Sequence, residues 1–113
     1  MQGAYHYHLA SPCVADSSIA STAGGCDQNS ACHSDVITYT ESYYSSYGAN
    51  PTGIAADGSI IWAMYNSNGD LWTGCDVDVC NGLTIDGYYG YALTSFHPYH
   101  VGCWGPGSTV YSE

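Results

Sequence analysis

Two histidines two residues apart, His6 and His8 within Tyr5-His6-Tyr7-His8, are the sharpest candidate for metal chemistry in this chain. On a strand, side chains at that spacing share a face, so two neutral imidazoles could grip one divalent ion, copper(II) or zinc. A third ligand is then required, and His97, His100 and Asp57 are the candidates. The same pair could instead be hydrogen-bonded inside a sheet, orienting backbone or carboxylate groups. Oxygen ligands form a separate set. Asp76 and Asp78 stand at strand spacing, and Asn66, Asn68 and Asp70 alternate through a turn, where a hard cation such as calcium would need about six to eight oxygens. Turn formation alone also explains Asn, Gly and Asp there, and Asp78 could cap the backbone donors around Asn81 and Gly82. Nucleophilic catalysis has little to build on. No serine sits in a nucleophile-elbow context, and there is no Lys or Arg to stabilise a developing anion. Glu41 paired with an aspartate is the one arrangement that could act on a glycosidic bond, and the expectation is that the chain is not an enzyme.

The 113 residues include ten Asp and Glu and not one Lys or Arg, giving a formal net charge of −10. A chain with no cation to neutralise phosphates has no electrostatic hold on nucleic acid, and anionic lipid is disfavoured for the same reason. Its carboxylates must be solvated, capped by backbone donors or bridged by bound cations. Six cysteines, without a Cys-x-x-Cys pair or zinc-like spacing, read as a disulfide framework, which implies an oxidising, extracellular setting. No apolar run approaches the roughly 18 residues of a membrane span, and no basic-then-apolar leader opens the chain. The expectation is a mature secreted protein of one domain, residues 1–113.

These side chains would be positioned by strands and turns. Residues 2–9 alternate as a strand would, and residues 14–31, rich in Ser, Ala, Gly and Asp, read as a long excursion tied down by cysteines. Residues 36–40 are β-branched and aromatic, predicting a strand, and residues 42–50 predict a loop. A central hairpin is predicted with strands over 59–65 and 70–73 and a turn at Asn68-Gly69. Asp86-Gly87 is another turn signal, with a strand over 88–94, and residues 101–104 predict a short buried segment. No stretch sustains a helical period over ten residues. The fold expected is all-β: a compact, loop-rich antiparallel sandwich or roll stapled by disulfides, with little helix.

Four motifs in this order resemble the YHYH domain family, found in secreted and cell-surface proteins and without a well-defined activity. Tyr5-His6-Tyr7-His8 with Ser11-Pro12-Cys13 resembles the opening motif. Pro51, Ala55-Ala56-Asp57-Gly58 and Ile60-Ile61 resemble the central one, and Asp78-Val79-Cys80-Asn81-Gly82 the next. Thr94 to Phe96 with Pro98-Tyr99 and Gly102-Cys103-Trp104 resembles the closing motif. The resemblance covers nearly the whole chain and favours Asp57 as the third metal ligand. In one respect the chain departs from it. Where the family often repeats the tyrosine-histidine alternation, this sequence reads Tyr89-Gly90-Tyr91-Ala92, without histidine.

All six cysteines are expected to be oxidised within the chain. Cys26 with Cys32 would close a short local loop, Cys80 with Cys103 would tie the third motif to the closing one, and Cys13 with Cys75 would remain, although spacing alone leaves the pairing open. Twelve tyrosines and three tryptophans exceed what one small core needs, and tyrosine on a Ser/Gly background suits an adhesive surface. Tyr43, Tyr44 and Tyr47 are the candidate contact loop. Tyr111, within a terminal segment over 108–112, could add a strand to a neighbour's edge. The function expected is a structural subunit of an extracellular self-assembling polymer, a homo-oligomer or homopolymer. The alternative is a secreted module that binds a metal or carbohydrate, with glycans as partners.

Overall fold

A computed structural model of the chain describes residues 10–19 and 26–107, Asp27 by its backbone only. The order is α1 (Pro12–Ala15), a 3-10 turn (Cys26–Gln28), α2 (Ser30–Ser34) and α3 (Val36–Tyr47), followed by β1 (Pro51–Ile54), β2 (Ile60–Trp62), β3 (Gly82–Ile85) and β4 (Tyr88–Ala92). This is a small α/β fold, and the all-β expectation is corrected by it.

The helix α3 occupies residues read from sequence as a strand followed by a loop. Local signals decide the matter. Asp35 caps the first turn, its carboxylate accepting from the Thr38 amide and hydroxyl. Gly48, at φ 81°, closes the last turn by donating to Tyr44 O. Thr40, Tyr44 and Tyr47 recur at spacings of four and three and fall on one face, Thr40 and Tyr44 fully buried and Tyr47 half-buried. The serine and threonine hydroxyls turn back onto the helix, Thr40 to Val36 O and Ser45 to Ser42 O, so they do not compete with it.

The four strands form one sheet in the order β1-β2-β4-β3. Two antiparallel hairpins, β1–β2 and β3–β4, are joined through a parallel β2–β4 pair, so the sheet is mixed where an antiparallel one was expected. A parallel neighbour requires the chain to return to the other end of the sheet; residues 63–81 lead from the end of β2 to the start of β3 at the same end, and β3 itself makes the return run. The 63–81 stretch contains the predicted Asn68-Gly69 turn, closed by a single antiparallel bridge between Tyr65 and Leu71. Asp86-Gly87 turns β3 into β4 as predicted. Asp86 (φ 53°) and Gly87 (φ 85°) are both left-handed, which suits the right-handed twist of a two-residue hairpin.

Register and alternation place Ile54, Ile60, Trp62, Leu83, Ile85 and Tyr88 on one sheet face, with Ile61, Tyr89 and Tyr91 on the other. The second face is covered. Tyr91 is buried against Ala55 and Cys80, flanked by Val79 and Val101. The other main cluster lies where β2 and β4 end, with Tyr44 of α3 packed on Ala10, Ala63, Met64 and Leu93. Among the described residues the helices pack on one another and on these chain ends, leaving the first face without a layer. Disulfides Cys26–Cys32 and Cys80–Cys103 staple the α2 region and the closing segment, respectively. No helix among the described residues is long and apolar enough to cross a membrane.

Candidate functional site

Two aspartates organise the closing segment, Asp57 from the β1–β2 turn and Asp78 from the turn that leads into β3. Asp78 is buried and accepts four hydrogen bonds. Its Oδ1 takes the Cys80 and Gly82 amides, both at 2.9 Å, and its Oδ2 takes the Tyr89 hydroxyl at 2.7 Å and the Gly107 amide at 2.9 Å. Burial alone would raise this carboxyl's pKa, but the Gly107 amide, the Tyr89 hydroxyl and the two remaining amides outweigh it and hold the group below the usual range. The Asp78 carboxylate caps the Gly82 amide as expected and takes Cys80 in place of Asn81, whose amide donates to the Asp78 main-chain carbonyl; Tyr89 and Gly107 extend the set. Burial, reinforced by the bond to Asp78, pushes the Tyr89 phenol pKa up in turn. That phenol is clamped between Gly82 and Gly105, where a Cβ at either position would overlap it.

Asp57, in the β1–β2 turn, anchors the second arm. Its Oδ2 accepts from the Tyr91 hydroxyl at 2.6 Å and its Oδ1 from the Ser59 amide at 3.0 Å. The Tyr91 bond is the main reason its carboxyl sits below the ordinary range. Tyr91 Oη also accepts from the Gly105 amide at 3.0 Å. Two Tyr-to-Asp bonds from one strand therefore pin the closing segment at Gly105 and Gly107, beside the Cys80–Cys103 bridge. Tyr89 and Tyr91 meet edge to face at 5.4 Å, and Trp104 meets Tyr91 at 6.4 Å. Trp104 itself is exposed, with Cys103 and Gly102, so the segment over 101–104 runs across the surface rather than being buried as expected.

Because β2 and β4 run parallel, the Asp57-Gly58 and Asp86-Gly87 tips lie at the same end of the sheet. Between them opens a groove of about 520 Å³, lined by Ile60, Trp62, Ile85, Tyr88 and Tyr89 with Asp57 and Asp86 at its rim. Ile60, Trp62, Ile85 and Tyr88 belong to the uncovered face. The Trp62 indole lies over Gly90. A Cβ on Gly90 would meet Ile60 O at 2.7 Å and Trp62 Nε1 at 3.2 Å, so a histidine has no room there.

His6, His8 and Tyr111, with the 108–112 segment, lie outside the described residues. Asp57 is present, its oxygens engaged by Tyr91 and Ser59, and no group of three or more His, Cys, Asp or Glu placed to hold a metal occurs among the described residues. Asp76 and Asp78 do not share a strand face, because residues 74–80 form turns. Asp76 accepts from the Thr73 amide and hydroxyl. Asn66 Oδ1 takes the Asn68 and Asp70 amides, which is the turn role of that triplet.

The expected contact loop is also corrected. Tyr43, Tyr44 and Tyr47 lie on α3, and Tyr44 is a core residue at 0% exposure whose hydroxyl donates to Ser11 O. Burial pushes its pKa up to about 12. Tyr47 donates to Pro51 O, and Tyr43 packs on Tyr39. Of the three expected disulfides two form, while Cys13 and Cys75 are free. Each is held in its own turn, the Cys13 amide by the Ser11 hydroxyl and the Cys75 amide by the Thr73 hydroxyl. Cys13 belongs to α1 and Cys75 to the connection between β2 and β3. Sequence reasoning missed Tyr89, Tyr91, Gly105 and Gly107. The available signal was two tyrosines at strand spacing followed by Gly105-Pro106-Gly107. Comparison of the chain with family models, curated proteins and solved structures returned no match.

Proposed function

We propose that the chain is a structural subunit of an extracellular assembly and that it associates with further copies of itself through the uncovered face of its sheet. One observation carries the reading. Among the described residues no second layer packs on the face bearing Ile54, Ile60, Trp62, Leu83, Ile85 and Tyr88, and Ile54 and Tyr88 are 73% and 79% exposed. A sheet with an apolar face is stable when that face is packed against another element, and a second copy supplies one by sheet-on-sheet packing. The β1 edge is a poorer route. It begins at Pro51, carries an irregularity between Pro51 and Gly53, and has Pro51 O occupied by Tyr47.

The charge of −10 tunes association without forbidding it. Two unit charges about 10 Å apart in water repel by only about 0.4 kcal/mol. Burying about 1,000 Å² of apolar surface returns on the order of 25 kcal/mol before entropy and desolvation are subtracted. Two disulfides suit an oxidising compartment, and the likeness of the four motifs to the YHYH family points to the same setting. Negative-stain microscopy of purified material tests the reading. Filaments, sheets or closed oligomers are expected, and uniformly dispersed monomers at high concentration overturn it.

A further inference from the structure

The groove between the hairpin tips combines apolar walls with a charged rim that self-association leaves unmatched. Its walls are apolar and aromatic, from Ile60, Ile85, Trp62 and Tyr88, while its rim carries the carboxylates of Asp57 and Asp86, both exposed. Those charges attract a cation, and the apolar walls suit the aliphatic stem that carries one. Another copy has no lysine or arginine stem to offer, because the chain has no Lys or Arg at all. Phosphate, sulfate and acidic glycans are repelled by the same rim.

We propose that this groove binds a basic segment of a different protein. A lysine or arginine stem lies along Ile60 and Ile85, and its charged head sits between Asp57 and Asp86 beside the Tyr88 and Trp62 rings. The surrounding charge of −10 steers such a partner toward the molecule from a distance. This site goes beyond the self-assembly reading and does not depend on it, and because Ile60, Trp62, Ile85 and Tyr88 also belong to the face proposed for self-association, a basic segment and a second copy compete for it.

Titration calorimetry with a hexalysine or hexaarginine peptide, on protein dilute enough to scatter light as a monomer, tests the site. Asp86→Asn removes one rim charge and keeps the turn, because asparagine tolerates the left-handed backbone at φ 53°. Asp70→Asn is the control, removing one exposed charge from a different turn. Asp86→Asn and Tyr88→Ser should each weaken binding about five-fold or more, Asp70→Asn less than about two-fold, and added salt should weaken it steeply. Absence of binding, or equal losses from Asp86→Asn and Asp70→Asn, overturns the proposal, the latter leaving only net-charge attraction. Binding of neutral cellohexaose or chitohexaose that is insensitive to salt and lost in Asp86→Asn also overturns it and assigns the groove to a glycan. Salt separates this site from self-association, since screening promotes contact between acidic copies and opposes the peptide.

Discussion

Replacing Asp78 by asparagine changes one oxygen into an amide nitrogen at the junction where the 78–82 turn, β4 and the closing segment meet. Asparagine Oδ1 can still accept from the Cys80 and Gly82 amides, and the Tyr89 hydroxyl can rotate to accept from the new NH2 group. The Gly107 amide cannot adapt, because it would face a donor where Asp78 Oδ2 stood at 2.9 Å. A hydrogen bond to a charged group contributes about 1.5–3 kcal/mol, and the three retained bonds lose their charge assistance. A loss of about 3 kcal/mol is therefore expected, a large share of the roughly 5–15 kcal/mol that stabilises a typical domain. At roughly 4 °C per kcal/mol for a chain of this size the melting temperature should fall by about 12 °C. Thermal and urea unfolding of the disulfide-intact protein measures it, with Tyr89→Phe and the double variant completing a cycle whose coupling should be clearly favourable. A loss under about 0.5 kcal/mol, with no coupling to Tyr89, would refute the reasoning and make Asp78 a bystander.

Two further outcomes follow from the same structure. Asp57 and Asp78 both have folded-state pKa values below the ordinary range, from the Tyr91 bond and from the donors around Asp78 respectively. The unfolded chain therefore binds more protons in the acid range, so the stability these groups contribute is fully present above about pH 4 and is lost as pH falls through the lowered values. Melting temperatures measured from pH 7 to 2 should hold to about pH 4 and then drop, with a smaller drop in Asp78→Asn. A rise on acidification would show instead that relief of the −10 charge dominates. Thiol titration of the unfolded, unreduced protein should find two sulfhydryls, and in the native state exposed Cys75 should react ahead of half-buried Cys13. No thiol at all would restore a Cys13–Cys75 bridge.

What could be read from the sequence was local. Asp86-Gly87 and Asn68-Gly69 announced their turns, because few residue pairs accept the backbone those positions need. The strand at Tyr88 was visible in its alternation, and the two disulfides that form were among those expected. The helix α3 was misread because its β-branched and aromatic composition speaks for a strand. Its caps, Asp35 and Gly48, and the recurrence of Thr40, Tyr44 and Tyr47 spoke for a helix, and tertiary burial of Tyr44 settled it. The parallel β2–β4 pairing left no local trace, since it joins residues about thirty apart. For the same reason Asp57 was singled out as a metal ligand, while its partner Tyr91 and the Gly105 amide beyond it stayed unseen. Asp78 was half legible. Its capping of the 80–82 backbone follows from sequence proximity, and its hold on Gly107 does not.

The self-assembly reading stands or falls on what covers the sheet face of Ile54 and Tyr88. Static light scattering over a wide range of protein concentration, on the native chain and on an Ile54→Ser, Tyr88→Ser double variant, tests it most directly. Both positions are exposed, so the variant should keep the native melting temperature to within a few degrees. The expected result is a native mass that grows with concentration, and further with salt, and a variant that stays near 12.0 kDa. A native protein that scatters as a monomer at every concentration, or a variant that assembles as readily, would contradict it.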